Sequence, residues 1–472
     1  MEELKKLEIT LSPHIDDEYS FVSCGVTIDL EEPELKEGDR LADIWHMVAG
    51  VPGAPLTGEG LRAFDSKGEV PLNEGIEKDP TGFDKRVWRT GRETDGDVEI
   101  SYRFLPRDLT GVNRCHPLFD AFQEKNGVLI PGVTTIAAVP EGRYRILQRW
   151  DRTHMPEDAG GVSIRGEGDQ EYIGTPYDYT FTLYMAGKYK KAGDKAGRRF
   201  MYWLDDTLPD REKAVAQIPR LLEEICRFFR DEDLRYSIFF RKEPFDTSNS
   251  GTAFDGGFAY GYSDKMPLIM DQALNTLAHE TVHNWPRMED LGGEGTWFSE
   301  GTAEYYSVVI PARSGIIDRR RAGEWITEKC ADYYNNSRQG LSCQEAYEKA
   351  WTDPECQRVP YGRGFVYLAE TDRLLKEKSG GKSTVDDLVL ELCRRRRDGQ
   401  TVRVCDWEEL IEKHLGGSSV DHFRNVMSGK ETIQADDRWF DGNFTFSRGD
   451  YADPRKGLIR DAYIWTAKEE NE

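Results

Sequence analysis

The chain has no long hydrophobic run. Its longest stretch free of charged residues lies near residues 127–140, interrupted by Pro131. A membrane-spanning helix needs about 18–20 apolar residues, so none is expected. The 8 cysteines, at positions 24, 115, 226, 330, 343, 356, 393 and 405, include no Cys-x-x-Cys pair. Zinc-ribbon and thioredoxin-like sites therefore have no sequence support. Positive charge is also short: 63 Lys and Arg face 86 Asp and Glu, a net charge of -23. Such a chain repels phosphate backbones, and no nucleic-acid partner is expected. Residues Met1-Glu2-Glu3-Leu4-Lys5-Lys6 contain neither an apolar core nor a small-residue cleavage site. No secretory leader is expected, and free thiols in a cytoplasmic setting are. The basic runs Arg319-Arg320-Arg321 and Arg394 to Arg397 read as solvated helix faces or as partners of helix C-terminal dipoles.

Aromatic residues are plentiful, with 11 Trp, 21 Tyr and 21 Phe in 472 residues. That content belongs to a globular chain, and the length suggests roughly three domains. Residues 1–176 are rich in Gly, Pro and Thr, with short alternating runs. Val98–Phe104, residues 127–139 and Tyr144–Trp150 read as strands of an antiparallel β-sandwich-like domain. Residues 152–176, rich in Gly and Asp, read as a long loop or junction. From residue 177 the pattern is α+β. Strands are expected near 179–185, 200–204, 234–241 and 257–262, and a helix near 208–230. Helices are expected near 268–285, 298–311, 317–337, 342–351, 361–379, 383–397 and 406–415, with Gly380-Gly381 and Gly416-Gly417 as stops. The expected division is 1–176, 177–430 and a C-terminal extension, 431–472, whose aromatic and charged residues follow neither period.

The chemistry concentrates at His279-Glu280-Thr281-Val282-His283. Residues four apart on a helix are turned by only about 40°, so both imidazoles can meet one ion. Glu280, one step round, is placed to take a proton from an activated water. This H-E-x-x-H spacing is that of zinc peptidases. By chance it should arise in on the order of one to two chains in a hundred of this composition. Catalytic zinc takes three protein ligands and leaves one position open. Downstream, Trp297-Phe298-Ser299-Glu300-Gly301-Thr302-Ala303-Glu304-Tyr305-Tyr306 offers Glu300 as the third, with Glu304 one turn on as a carboxylate for the free N–H of a ligand histidine. One Zn2+ per chain is expected. Residues 256–263 read as an edge strand whose free N–H and C=O groups could pair with an extended peptide. Gly256, Gly257, Phe258, Ala259 and Tyr260 are its candidate substrate-binding residues. The segment from Asp246 to Gly257 has glycine where a calcium loop needs its last glutamate, and no calcium site is expected there.

These motifs resemble the gluzincin zinc peptidases. Tyr361-Gly362-Arg363-Gly364-Phe365, Glu377-Lys378-Ser379-Gly380-Gly381-Lys382-Ser383 and Asp386-Asp387-Leu388 are similar to the glycyl aminopeptidase branch in particular. The resemblance covers residues 180–430 in motifs and 1–180 in texture. It implies a thermolysin-like catalytic domain of mixed sheet plus helices after the N-terminal β domain. It also implies Tyr361 as hydrogen-bond donor to the transition state, and peptide substrates cut in an aminopeptidase-like manner. Arg363 stands where the family has lysine, and 431–472 is too short for the branch's PDZ domain. Ala259 takes the place of the strand glutamate that anchors a free amine. An endopeptidase or dipeptidase of the same clan is therefore the first alternative, and a non-catalytic zinc-stabilised peptide-binding protein the second. Retention of Glu280 speaks against the latter, since a structural zinc needs no general base.

The missing anchor has a measurable consequence. One partly solvated ion pair is worth roughly 1–1.4 kcal/mol. N-acetylated peptides should therefore be cleaved within about tenfold of their free-amine counterparts in kcat/KM. Complete refusal of blocked peptides would mean that another acid holds the amine.

Overall fold

The computed structural model describes residues 4–79, 82–112, 117–204, 208–245, 250–264, 270–290, 293–350, 352–453 and 457–469. Cys115 and part of the segment from Asp246 to Gly257 lie outside the described residues, as do the first residues expected in the helix near 268–285. Among the described residues, no helix is long and apolar enough to cross a membrane. The chain separates into two compact units, Met1–Pro219 with Asp233–Ala273, and Arg220–Glu232 with Leu274–Glu472.

The first unit is built from strands. Val98–Phe104 and Tyr144–Trp150 form where alternation places them. They belong to a seven-stranded sheet with Lys6–Ile15 and Phe21–Leu30 at its centre. Lys6–Ile15 alternates buried and more exposed residues, so Leu7, Ile9 and Leu11 enter the core from one face. Its pairing with Tyr144–Trp150 is parallel, unlike the antiparallel pairs around it. Residues 152–176 are not a plain loop. They hold Gly160–Ser163, Gly166–Glu167 and Gln170–Gly174, each paired with a neighbour. The strand expected at 179–185 begins later, at Leu183–Gly187. A capping box between Thr175 and Asp178 starts a short helix first, α1 (Pro176–Thr180). Leu183–Gly187 pairs with Gly127–Pro131 and Gly160–Ser163, so the boundary expected after residue 176 falls inside this unit.

A further five-stranded sheet runs in the order Lys190–Gly193, Arg199–Trp203, Tyr236–Lys242, Gly257–Tyr262, Ser250–Phe254. The middle three strands are parallel. Between the second and third, the chain passes through α2 (Arg211–Phe228), whose Ile218, Leu221, Leu222 and Ile225 are buried.

The second unit is helical: α3 (Met270–Val282), α4 (Thr296–Arg313), α5 (Arg319–Tyr334), α6 (Cys343–Lys349), α7 (Pro354–Ser379), α8 (Val385–Arg397), α9 (Val404–Leu415) and α10 (Gly417–Met427). The helix expected from residue 361 starts seven residues earlier. Asp353 accepts a hydrogen bond from the Glu355 N–H, Pro354 fits the first turn, and the helix continues through Pro360. Gly416 ends α9 at positive φ, but Gly417 opens α10 instead of extending the stop. The Asp386-Asp387 pair anchors α8. Asp387 accepts from the Thr384 N–H at 2.8 Å, and Asp386 accepts from the Tyr306 hydroxyl at 3.0 Å.

The arginine run at the end of α8 is not simply solvated. Arg396 donates to the Trp285 carbonyl at 2.8 Å, and Arg397 to the Phe229 carbonyl at 2.8 Å, at the end of α2. Residues beyond 430 form a hairpin, Phe444–Asp453 with Leu458–Ala467, laid on α5. The Trp465 N–H donates to Thr327 Oγ1 at 2.9 Å, and Trp465 stacks on Trp439.

Helices α4 and α7 meet backbone to backbone. A Cβ on Gly301 would lie 2.5 Å from Gly364 Cα, and one on Gly364 2.4 Å from the Trp297 carbonyl oxygen. Neither neighbour is a side chain that can swing aside. Gly301→Ala and Gly364→Ala should each destabilise the protein by roughly 1–3 kcal/mol in urea unfolding. Gly340→Ala, with no heavy atom within 4 Å of the added carbon, should stay near neutral.

Candidate metal centre

Helix α3 turns Leu274, Leu277, Ala278 and Val282 into the interior. The same winding brings His279 and His283 together, with their Nε2 atoms 3.1 Å apart. Glu300, near the start of α4, places Oε2 3.4 Å from each of them. Ligand atoms 2.0–2.1 Å from a tetrahedral zinc stand about 3.3 Å from one another. The three donors already have that spacing. Two imidazole nitrogens and a carboxylate oxygen converge on one point, a donor set that fits a metal ion. Burial pushes the Glu300 carboxyl up, but the facing imidazoles of His279 and His283 outweigh it and hold it well below the usual range. Burial raises the Glu280 carboxyl above its ordinary value.

Glu304 stands one turn beyond Glu300, with Oε1 3.5 Å from His279 Nδ1. It is buried, and its charge is answered by Lys329, whose Nζ contacts Oε2. Lys329 is itself buried and donates to Asn275 Oδ1 at 2.8 Å. Asn275 in turn donates to Ser307 Oγ at 3.2 Å. Arg358 Nη1 lies 3.6 Å from Glu304 Oε1. Burial pushes the Glu304 carboxyl up, yet the charges of Lys329, His279 and Arg358 bring it down to about 2. Lys329, Asn275 and Arg358 were not legible in the sequence, because they lie on three separate helices and share no motif.

Tyr361 lies within α7, its ring 5.7 Å from that of His279 and tilted by only 4°. Burial, and then the nearby Glu300, push its phenol above the ordinary value. Arg363, one residue before the crossing glycine, points elsewhere. It is buried and donates to the carbonyls of Gln339, Leu341 and Met427. Trp297, at the head of the Glu300 segment, is the hub of an aromatic cluster with Tyr367, Trp407 and Phe423.

The strand reading needs correction. Gly257–Tyr262 is not at the sheet edge: it pairs with Tyr236–Lys242 on one side and Ser250–Phe254 on the other. Its main-chain groups are engaged, and the edges among the described residues are Lys190–Gly193 and Ser250–Phe254. Ala259 is wholly buried in a cluster with Tyr202, Phe239 and Phe254. Phe258 and Tyr260 are buried too, while Gly256 takes a positive φ at the turn before the strand. A glutamate at 259 would enter a hydrophobic core, which explains why the position is apolar.

Comparison with known proteins agrees with this geometry. The family model for the M61 glycyl aminopeptidases matches residues 288–361, the span that contains Glu300, Glu304 and Tyr361. No curated protein matches. Among solved structures, an aminopeptidase N family protein from Idiomarina loihiensis superimposes with a TM-score of 0.72 at 15% identity, over 96% of this chain and 81% of its own. A mutant M1 zinc metallopeptidase from Deinococcus radiodurans gives 0.50 at 14%, over 92% and 95%. Yeast LTA4 hydrolase gives 0.52 at 13%, over 92% and 69%. At such identities the structures show the shared fold. Together with the family match, they support a gluzincin peptidase, a hydrolytic enzyme rather than a zinc-stabilised binding protein.

Two substitutions separate ligand from support. Glu300→Ala removes a donor and should abolish stoichiometric zinc binding. Glu304→Ala leaves all three donors and should weaken zinc binding by about 10–100-fold. Competition with a chromogenic chelator measures both. Unchanged affinity in the first variant would mean that another residue is the third ligand.

Proposed function

We propose that the chain hydrolyses peptide bonds with one zinc ion held by His279, His283 and Glu300. The observation that carries this reading is the convergence of those three donor atoms, with Glu280 next to His279 on α3. A zinc ion there would supply Lewis acidity and lower the pKa of a nearby water towards ~7. Glu280 takes the proton of the attacking water and later returns it to the leaving amine. Tyr361 donates its hydroxyl proton in a hydrogen bond to the carbonyl oxygen as negative charge develops there. Glu304, with Oε1 3.5 Å from His279 Nδ1, favours the tautomer that carries its proton on that nitrogen, which leaves Nε2 free to act as a ligand.

The substrate is a peptide, and the family match and fold favour cutting near its N-terminus. A cavity of about 290 Å³ beside His283, lined by Pro286, Arg287, Met288, Thr296 and Ser299, offers room for a substrate side chain. All cysteines among the described residues are free, which supports a reducing, cytoplasmic compartment.

Glu280→Gln should keep fold and zinc but lose nearly all turnover, because an amide cannot take the proton. Zinc content and hydrolysis measured on one preparation decide this, and near-normal activity with zinc bound removes Glu280 as the base. Tyr361→Phe keeps the ring against His279 and should lower kcat by on the order of 10²–10³ with KM within a few-fold. A kcat close to wild type would return Tyr361 to a packing role.

A further inference from the structure

Arg358 sits on α7 one turn before Tyr361, so the two side chains share a face. Its guanidinium carbon lies 4.7 Å from the centre of the Tyr361 ring. The long approach to Glu304, at 3.6 Å, is beyond normal hydrogen-bond length. Glu304 already has Lys329 in close contact, so neutralising it does not require Arg358. A guanidinium carries five N–H donors, and the Arg358 side chain remains 34% exposed. Arg363 on the same helix is the contrast: buried, with both terminal nitrogens spent on carbonyl oxygens. The Tyr361 ring lies under the Arg358 guanidinium and supports it.

Charge points the same way. Glu304 stands against two fixed cations, Lys329 and Arg358, a local balance of one positive charge. Charge of this sign beside the centre favours an anion.

We propose that Arg358 binds a substrate carboxylate, so that the site prefers peptides carrying an acidic group next to the scissile bond. The forked guanidinium matches a carboxylate's two oxygens. The carboxylate can come from an acidic side chain or from the free C-terminus of a short peptide. This inference rests on the peptidase reading for its substrate, while the binding geometry is independent of turnover.

The test uses zinc-loaded Glu280→Gln protein and equilibrium binding by calorimetry. One arm compares alanine tetrapeptide amides with Glu or Gln placed at each position in turn. The other compares alanine di- and tripeptides as free acids and as amides. In at least one arm the carboxylate form should bind about tenfold more tightly, and the arm that responds identifies the source. Introducing Arg358→Met should bring that ratio to about one, and Arg358→Lys, which keeps the charge without the fork, should retain part of it. A ratio near one in both arms before Arg358 is changed overturns the proposal without any variant at that position. So does a ratio that survives Arg358→Met. If the wild-type zinc protein hydrolyses no peptide while the carboxylate preference persists and depends on Arg358, the peptidase reading fails and the anion site stands.

Discussion

The closest approach in the second unit is between two glycines. Because neither Gly301 nor Gly364 has a side chain, α4 and α7 touch through their backbones. That contact decides how far Glu300, one residue before Gly301, stands from Tyr361, three residues before Gly364. A larger residue at either position would separate the helices by a distance comparable to the tolerance of a ligand shell. The aromatic cluster around Trp297 then packs against the same crossing. The chemistry of the centre is thus set by a packing constraint that involves no ionisable group.

The electrostatics follow from that geometry. Glu304 is buried beside His279, where an uncompensated carboxylate would be costly. Lys329 from α5 supplies the compensation and donates also to Asn275, which donates in turn to Ser307. Three helices therefore have to agree before the first imidazole is oriented.

Much of this was legible in the sequence, for reasons that differ by element. Val98–Phe104, Tyr144–Trp150 and Gly257–Tyr262 were readable because strands announce themselves by alternation or by turn residues at both ends. His279, Glu280, His283 and Glu300 were readable because their spacing is a local consequence of helix geometry. The position of Gly257–Tyr262 inside its sheet was not, since edge and interior strands of this composition look alike. The start of α7 at the Asp353 cap, seven residues before the expected one, was not readable either. Gly417 looked like a stop yet begins a helix. Lys329 and Arg358 depend on tertiary contacts, and nothing local in their surroundings sets them apart from other surface cations.

The hairpin on α5 gives the end of the chain a reach that its distance in sequence conceals. Thr327 holds the Trp465 main chain, and Lys329, two residues on, holds Glu304. The last strand is thus the outer support of the helix that supplies the centre's compensating cation. Trimming by a protease at the tail would loosen the hold of Lys329 on Glu304, although His279, His283 and Glu300 had not been touched.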